Sequence, residues 1–172
     1  MATAEDRLGM IPEGEGSSDT PFLVRPAGLE DVEDVAAIEV VAFSNPWNAQ
    51  TFRSLIRRNR AQILVAEGDS GEILGYAVAW WVQDQAELAN LAVKEEHRGR
   101  GIGSALLDRV LEDLGERGVD SLFLEVRVSN DGALALYRSR GFLQVALRKD
   151  YYRSPREDAR ILLKELRVRK HL

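Results

Sequence analysis

Apolar positions change period along this chain, and each change marks a predicted element. Phe22-Leu23-Val24-Arg25 reads as a short strand that Pro26 stops. From Leu29 onward Val32, Val35, Ala36, Ile38 and Val41 follow helical spacing, with Glu30, Asp31 and Glu33 suiting a helix N-terminus. Asn45-Pro46-Trp47-Asn48 breaks that helix, and a second begins near Ala49 with Phe52, Leu55 and Ile56 on one face. Three strands are predicted next, Gln62 to Glu67, Ile73 to Val82 and Glu87 to Val93, the first two joined by the turn Gly68-Asp69-Ser70-Gly71. Gly101 to Arg117 is the longest helical pattern, with Ile102, Ala105, Leu106, Val110 and Leu114 toward a core. Leu122 to Val128 is apolar enough for a central strand. Asn130 or Asp131 caps a helix running to Arg140, which Gly141 ends. Phe142 to Leu147 and Arg160 to Leu166 close the chain as strands. One mixed α/β domain accommodates this order, with no internal repeat.

Composition narrows the function classes. The chain has 172 residues, and lengths of about 100–200 residues usually make one domain. Residues 1–20 carry several glycines and serines and few apolar side chains, so they read as a flexible leader before a domain at 21–172. There is no cysteine, which excludes a disulfide framework, a thiolate zinc site and a cysteine nucleophile. Two histidines, His97 and His171, cannot make a multi-histidine metal site, so no metal is expected. The most apolar run, Ile73 to Val82, is about half the ~20 residues of a membrane helix, and no secretory signal is visible. A soluble, cytoplasmic protein is the expectation. Its net charge of −5 averages an acidic start and middle with a basic end, where eleven lysines and arginines face four acids between 138 and 172. The acidic body suits a cationic substrate; the run Arg167 to Lys170 reads as a frayed tail, with contact to RNA the alternative and no direct nucleic acid required.

Chemistry concentrates in His97-Arg98-Gly99-Arg100-Gly101-Ile102-Gly103-Ser104, between a strand and the long helix. Alternating glycines let backbone approach a ligand, and the open N–H groups of a helix start favour an anion. Arg98 and Arg100 add multi-donor cations suited to a diphosphate. A P-loop lysine is missing. A dinucleotide fingerprint fits only if Ser104 stands for the last glycine, and it leaves both arginines without a purpose.

The motif Arg98-Gly99-Arg100-Gly101-Ile102-Gly103 resembles the diphosphate-binding signature of the GNAT superfamily of N-acetyltransferases. Asn90-Leu91-Ala92-Val93, Leu122-Phe123-Leu124-Glu125-Val126-Arg127, Ser129-Asn130, Ala135-Leu136-Tyr137 and Gly141-Phe142 are similar to the branch that acetylates ribosomal-protein alanine, the RimI type. The resemblance implies a single GNAT-like domain with a mixed, mostly antiparallel sheet of about seven strands flanked by four helices. It implies acetyl-CoA as cosubstrate, and the N-terminus of a protein, that of a ribosomal protein, as acceptor. It places the pantetheine arm on Leu91, Ala92, Val93 and Asn130, and the diphosphate on Arg98 and Gly99 through Ser104. Glu125 matches the general base and Tyr137 the general acid, while Trp47, Tyr151 and Tyr152 fall on segments that flank the acceptor peptide.

The chemistry of these types agrees. An amine attacks a thioester only when unprotonated, so a carboxylate near an α-amine of pKa near 8 is useful. A leaving thiolate benefits from a phenolic proton. Without cysteine, direct transfer is the simplest route. Each residue also has a plain structural reading: Glu125 shares a strand face with Arg127 and pairs with it, Tyr137 is a core tyrosine, and Trp47 staples helices. Trp80 and Trp81 point to opposite sides of their strand as packing. A small amine remains the rival acceptor, favoured by a closed pocket at Trp47 and Tyr151; an acyl-CoA-binding module without catalysis is the remaining alternative.

Overall fold

A computed structural model describes residues 21–167; the predicted leader, His171 and most of the basic tail lie outside them. Seven strands and four helices follow in the predicted order: β1 (Phe22–Pro26), α1 (Val32–Ala42), α2 (Ala49–Ile56), β2 (Ala61–Gly68), β3 (Ile73–Val82), β4 (Gln85–Val93), α3 (Ile102–Glu116), β5 (Ser121–Arg127), α4 (Asp131–Ser139), β6 (Leu143–Arg153) and β7 (Arg156–Glu165). They form one sheet in the order β1-β2-β3-β4-β5-β7-β6. All neighbours are antiparallel except β4 and β5.

Strand alternation splits the core between the two faces. Leu64, Ala66, Leu122 and Leu124 meet Leu106, Leu107, Val110 and Leu114 of α3 with Leu134 of α4. Ile63, Val65, Tyr76 and Val78 meet Val32, Val35 and Ile38 of α1 with Phe52 and Leu55 of α2. β3 is buried over most of its length, which explains its unbroken apolar run. Trp80 and Trp81 divide between the faces as expected: Trp80 packs on the α1/α2 side, and Trp81 on the α3 side beneath the Arg117 guanidinium. Helix entries are secured locally. Asn48 accepts the Thr51 N–H at 3.0 Å to start α2. Asp31, ahead of α1, accepts the Gly28 N–H and two bonds from Arg25, which hold its carboxyl below the usual range.

Two features position the site. β4 and β5 pair only at Gln85–Glu87 against Ser121–Phe123, so beyond Glu87 the strands part and open a wedge in the sheet. A bulge at Ala89, where Val78 pairs with Asn90 but Ala79 with Leu88, turns β4 toward that wedge.

The boundaries of the closing strands are corrected. Phe142 is not in a strand: Gly141 turns left-handed at φ +82°, the Phe142 N–H bonds back to Tyr137 O at 3.2 Å, and its ring closes the end of α4. The closing hairpin is longer than predicted, with β6 reaching Arg153 and β7 beginning at Arg156. Its tip is charged and exposed and so lacks the alternation that marks a half-buried strand. Cross-strand pairing and Arg127, which donates to Ser154 O, Pro155 O and Glu157, hold it instead.

Candidate active site

A cavity of about 690 Å³ follows the wedge from the start of α3 to Tyr137. Gly99 (φ +76°) and Gly101 (φ +81°) both adopt left-handed backbone, and no atom lies within 4 Å of where their Cβ would be. Helical bonding begins with the Ala105 N–H to Gly101 O at 3.0 Å, so the N–H groups of Ile102, Gly103 and Ser104 have no intrahelical acceptor. These three residues, Gly99 and Gly101 line the cavity with Arg98, whose Nε is braced on Val93 O at 3.1 Å. Open amides, the positive helix end and a guanidinium in one place make a diphosphate cradle. Leu91, Ala92 and Val93 of β4 form one wall of the cavity, and Asn130, Ala133, Leu136 and Tyr137 the other. Asn130 caps α4 by accepting the Ala133 N–H at 3.1 Å. Unpaired β4 backbone facing an apolar helix side suits an extended arm that carries amides, as pantetheine does. The residues present therefore fit acetyl-CoA.

Tyr137 lines the same cavity, 7% exposed, edge-on to Phe142 at 5.6 Å. Burial above all, with Tyr152 nearby, pushes its phenol well above the ordinary value, so it stays protonated at neutral pH and can donate.

A second groove of about 400 Å³ adjoins this cavity at Ala42 and Phe43. Its walls are the α1–α2 loop (Ser44, Asn45, Trp47), the hairpin tip (Tyr152, Ser154, Pro155), and Glu39, Asn90 and Arg127. Trp47 stacks on Trp80 at 5.8 Å and packs against Phe52, so it serves as staple and wall together. Tyr152 lies over the Arg127 guanidinium at 4.1 Å. The Ser129 hydroxyl, its N–H and Arg127 hold the Glu157 carboxyl below its usual range and fix the hairpin tip.

Glu125 projects from β5 on the Arg127 face, but its partner is Arg148 of β6 (Oε1 to Nη1, 2.7 Å), and Arg127 pairs with Glu157 instead. The expected Glu125–Arg127 pair is thus replaced, because β6 and β7 bring other ions closer. Glu125 also pushes the Tyr151 phenol up to about 12. Glu87 shares this face; partial burial first, and the charge of Glu125 besides, raise its pKa against the opposing bond from Trp80 Nε1 at 2.9 Å.

Of the residues proposed from sequence for acetyl-CoA, Arg100 is not on the cavity wall; the others are. Trp47 and Tyr152 line the second groove, whereas Tyr151, 44% exposed, and Glu125 line neither space. Sequence reasoning missed Glu39 and Asn90, which lie inside ordinary helix and strand patterns. It also missed Gly75, although glycine inside an apolar strand is a signal of close approach: a Cβ there would meet Ala92 O at 2.8 Å.

Comparison with known proteins agrees with this geometry. The sequence model of the acetyltransferase (GNAT) family matches residues 32–142. A Bacillus subtilis protein is 39% identical over 144 residues, covering 83% of this chain and 95% of its own length, and its name provisionally assigns it [ribosomal protein bS18]-alanine N-acetyltransferase activity. The Escherichia coli (strain K12) [ribosomal protein bS18]-alanine N-acetyltransferase is 38% identical over 140 residues, 79% of this chain and 93% of its own. The crystal structure of the Escherichia coli ribosomal-protein-S18-alanine N-acetyltransferase superposes with a TM-score of 0.79 at 33% identity, covering 88% of this chain and 99% of that one. A diphosphate cradle at a helix start, a wedge between parting parallel strands and these matches have one common explanation: the chain belongs to the GNAT family of acetyltransferases and uses acetyl-CoA.

Proposed function

We propose that the protein is an Nα-acetyltransferase that transfers acetyl directly from acetyl-CoA to a protein N-terminus, that of a ribosomal protein beginning with alanine, in the cytoplasm. Relatives named for this activity support it. The observation that carries it is the meeting of two spaces at Ala42 and Phe43, a cofactor cavity and a groove walled by loop and hairpin. Tyr151 stays exposed rather than closing over Trp47, so a chain can leave the groove, which favours a peptide over a small amine. No helix among the described residues is long and apolar enough to cross a membrane.

In this reading Leu91, Ala92 and Val93 hold the pantetheine arm through backbone, with Asn130 opposite. Arg98 and the amides from Gly99 to Ser104 hold the diphosphate. Glu125 lines neither space, so it takes the proton of the α-ammonium through intervening water rather than directly, as the amine nitrogen bonds to the acetyl carbonyl carbon. Tyr137 delivers its proton to the departing thiolate as the carbon–sulfur bond breaks, and the second proton shed by the nitrogen on becoming an amide returns through water to the Tyr137 phenolate. Arg148 engages one oxygen of Glu125 at 2.7 Å and holds the carboxylate in place. Residues 21–172 suffice for all of this.

Incubating a peptide panel varied at residue one with acetyl-CoA, followed by mass spectrometry, tests the assignment. Acetyl on the α-amine, best with alanine or serine first, is expected. Acetylation confined to lysine side chains or to small amines would overturn it.

A further inference from the structure

Two acids are buried among the described residues, Asp31 and Glu39. Asp31 has Arg25 as counter-ion; Glu39, 1% exposed on α1, is bonded by neutral groups only. The Trp47 N–H donates to Oε1 at 3.0 Å, the Tyr76 hydroxyl to Oε2, and Asn90 Nδ2 to both oxygens at 3.1 and 2.9 Å. Burying a carboxylate without a cation costs the fold several kcal/mol unless hydrogen bonds offset it. Packing alone does not call for an acid here.

The donors come from the places that shape the acceptor side. Trp47 belongs to the α1–α2 loop, and Asn90 follows the β4 bulge and precedes Leu91, on the cofactor cavity wall. Glu39, Trp47 and Asn90 all line the acceptor groove. A carboxylate only accepts hydrogen bonds, so the Asn90 amide must turn Nδ2 toward it. Oδ1 is then the amide's remaining face, on a residue that lines the acceptor groove.

We infer that Glu39 is a positioning residue for the acceptor: it locks the Asn90 amide so that Oδ1 accepts a hydrogen bond from an N–H of the incoming amine, and it pins the Trp47 loop as the opposite wall. This rests on the groove being the acceptor site, as proposed above. Glutamine at position 39 has nearly the same shape, but its own N–H₂ must face one of the donors, which frees the Asn90 amide to turn.

Steady-state kinetics on the full chain with an alanine-first peptide, together with calorimetric titration of acetyl-CoA, decide it. Glu39→Gln is expected to raise the acceptor KM about tenfold, the scale of one lost hydrogen bond, with kcat within about twofold and acetyl-CoA affinity unchanged. Asn90→Ala should do the same, and the double variant should be no worse than Asn90→Ala alone, because both act through one amide. Multiplying effects in the double variant, or a fall in kcat at unchanged acceptor KM, would overturn the inference. Should Glu39→Gln lose its fold, Asn90→Ala decides by itself, and an unchanged KM rejects the role. Wild-type turnover on the peptide tests the groove's function separately. If only small amines are acetylated, that function fails, while the KM ratios on such an amine still judge Glu39.

Discussion

Tyr137 shows how environment assigns a role to a residue type. Its ring is buried against Phe142, its phenol is held protonated by burial, and it lines the cofactor cavity. A donor of this kind contributes roughly 10²–10⁴ to rate, so Tyr137→Phe is expected to lower kcat about a hundredfold. Acetyl-CoA affinity in calorimetry should remain within about twofold, since no binding bond is removed. Glu87 carries a pH signature. Its carboxyl pKa lies above the usual 4.5, chiefly through partial burial and secondarily through Glu125. An acid with a raised folded pKa destabilises the fold where it must ionise, above that pKa, and has no effect where it is protonated both folded and unfolded. Glu87→Gln, which can still accept from Trp80 Nε1, is therefore expected to raise Tm at pH 8. The gain should shrink as pH falls through the raised pKa and disappear below 4.5, which calorimetry across pH would follow. The bare types Tyr and Glu are legible in sequence; burial, which decides their proton affinity, is not.

Two glycines separate the needs of the elements. At Gly75 of β3 an added Cβ would press on Ala92 O at 2.8 Å, and Ala92 belongs to the β4 segment walling the cofactor cavity. Gly75→Ala is expected to cost about 1–3 kcal/mol of stability and to weaken acetyl-CoA binding, both measurable by denaturation and titration. At Gly115 in α3 no neighbour lies within 4 Å, so Gly115→Ala should stabilise by about 0.5–1 kcal/mol and leave binding alone. The same scale explains what could be read in advance. α3 and β3 were legible because one buries a stripe and the other both faces, and each leaves a period in the sequence. The β6–β7 hairpin was not, because β6 is exposed along nearly its whole length. Its length follows from strand pairing and from Arg127, which lies on another strand.

For the whole molecule, what matters is the parting of β4 and β5, which lets one sheet hold a cosubstrate between its strands and an acceptor beside them. Among the described residues, those lining either space lie between 39 and 155. Removing residues 1–20 is accordingly expected to leave kcat/KM for an alanine-first peptide within about twofold, as steady-state assays of the shortened chain would reveal. Element order, the glycine-rich cradle and the family are legible in the chain alone, because they depend on local period, backbone freedom and a contiguous motif. That Glu125 meets Arg148 rather than Arg127, and that Glu39 reaches Asn90, follows from the folded packing. The physical reason is distance along the chain: those partners are 23 and 51 residues apart, and only the packing of the sheet against its helices brings them together.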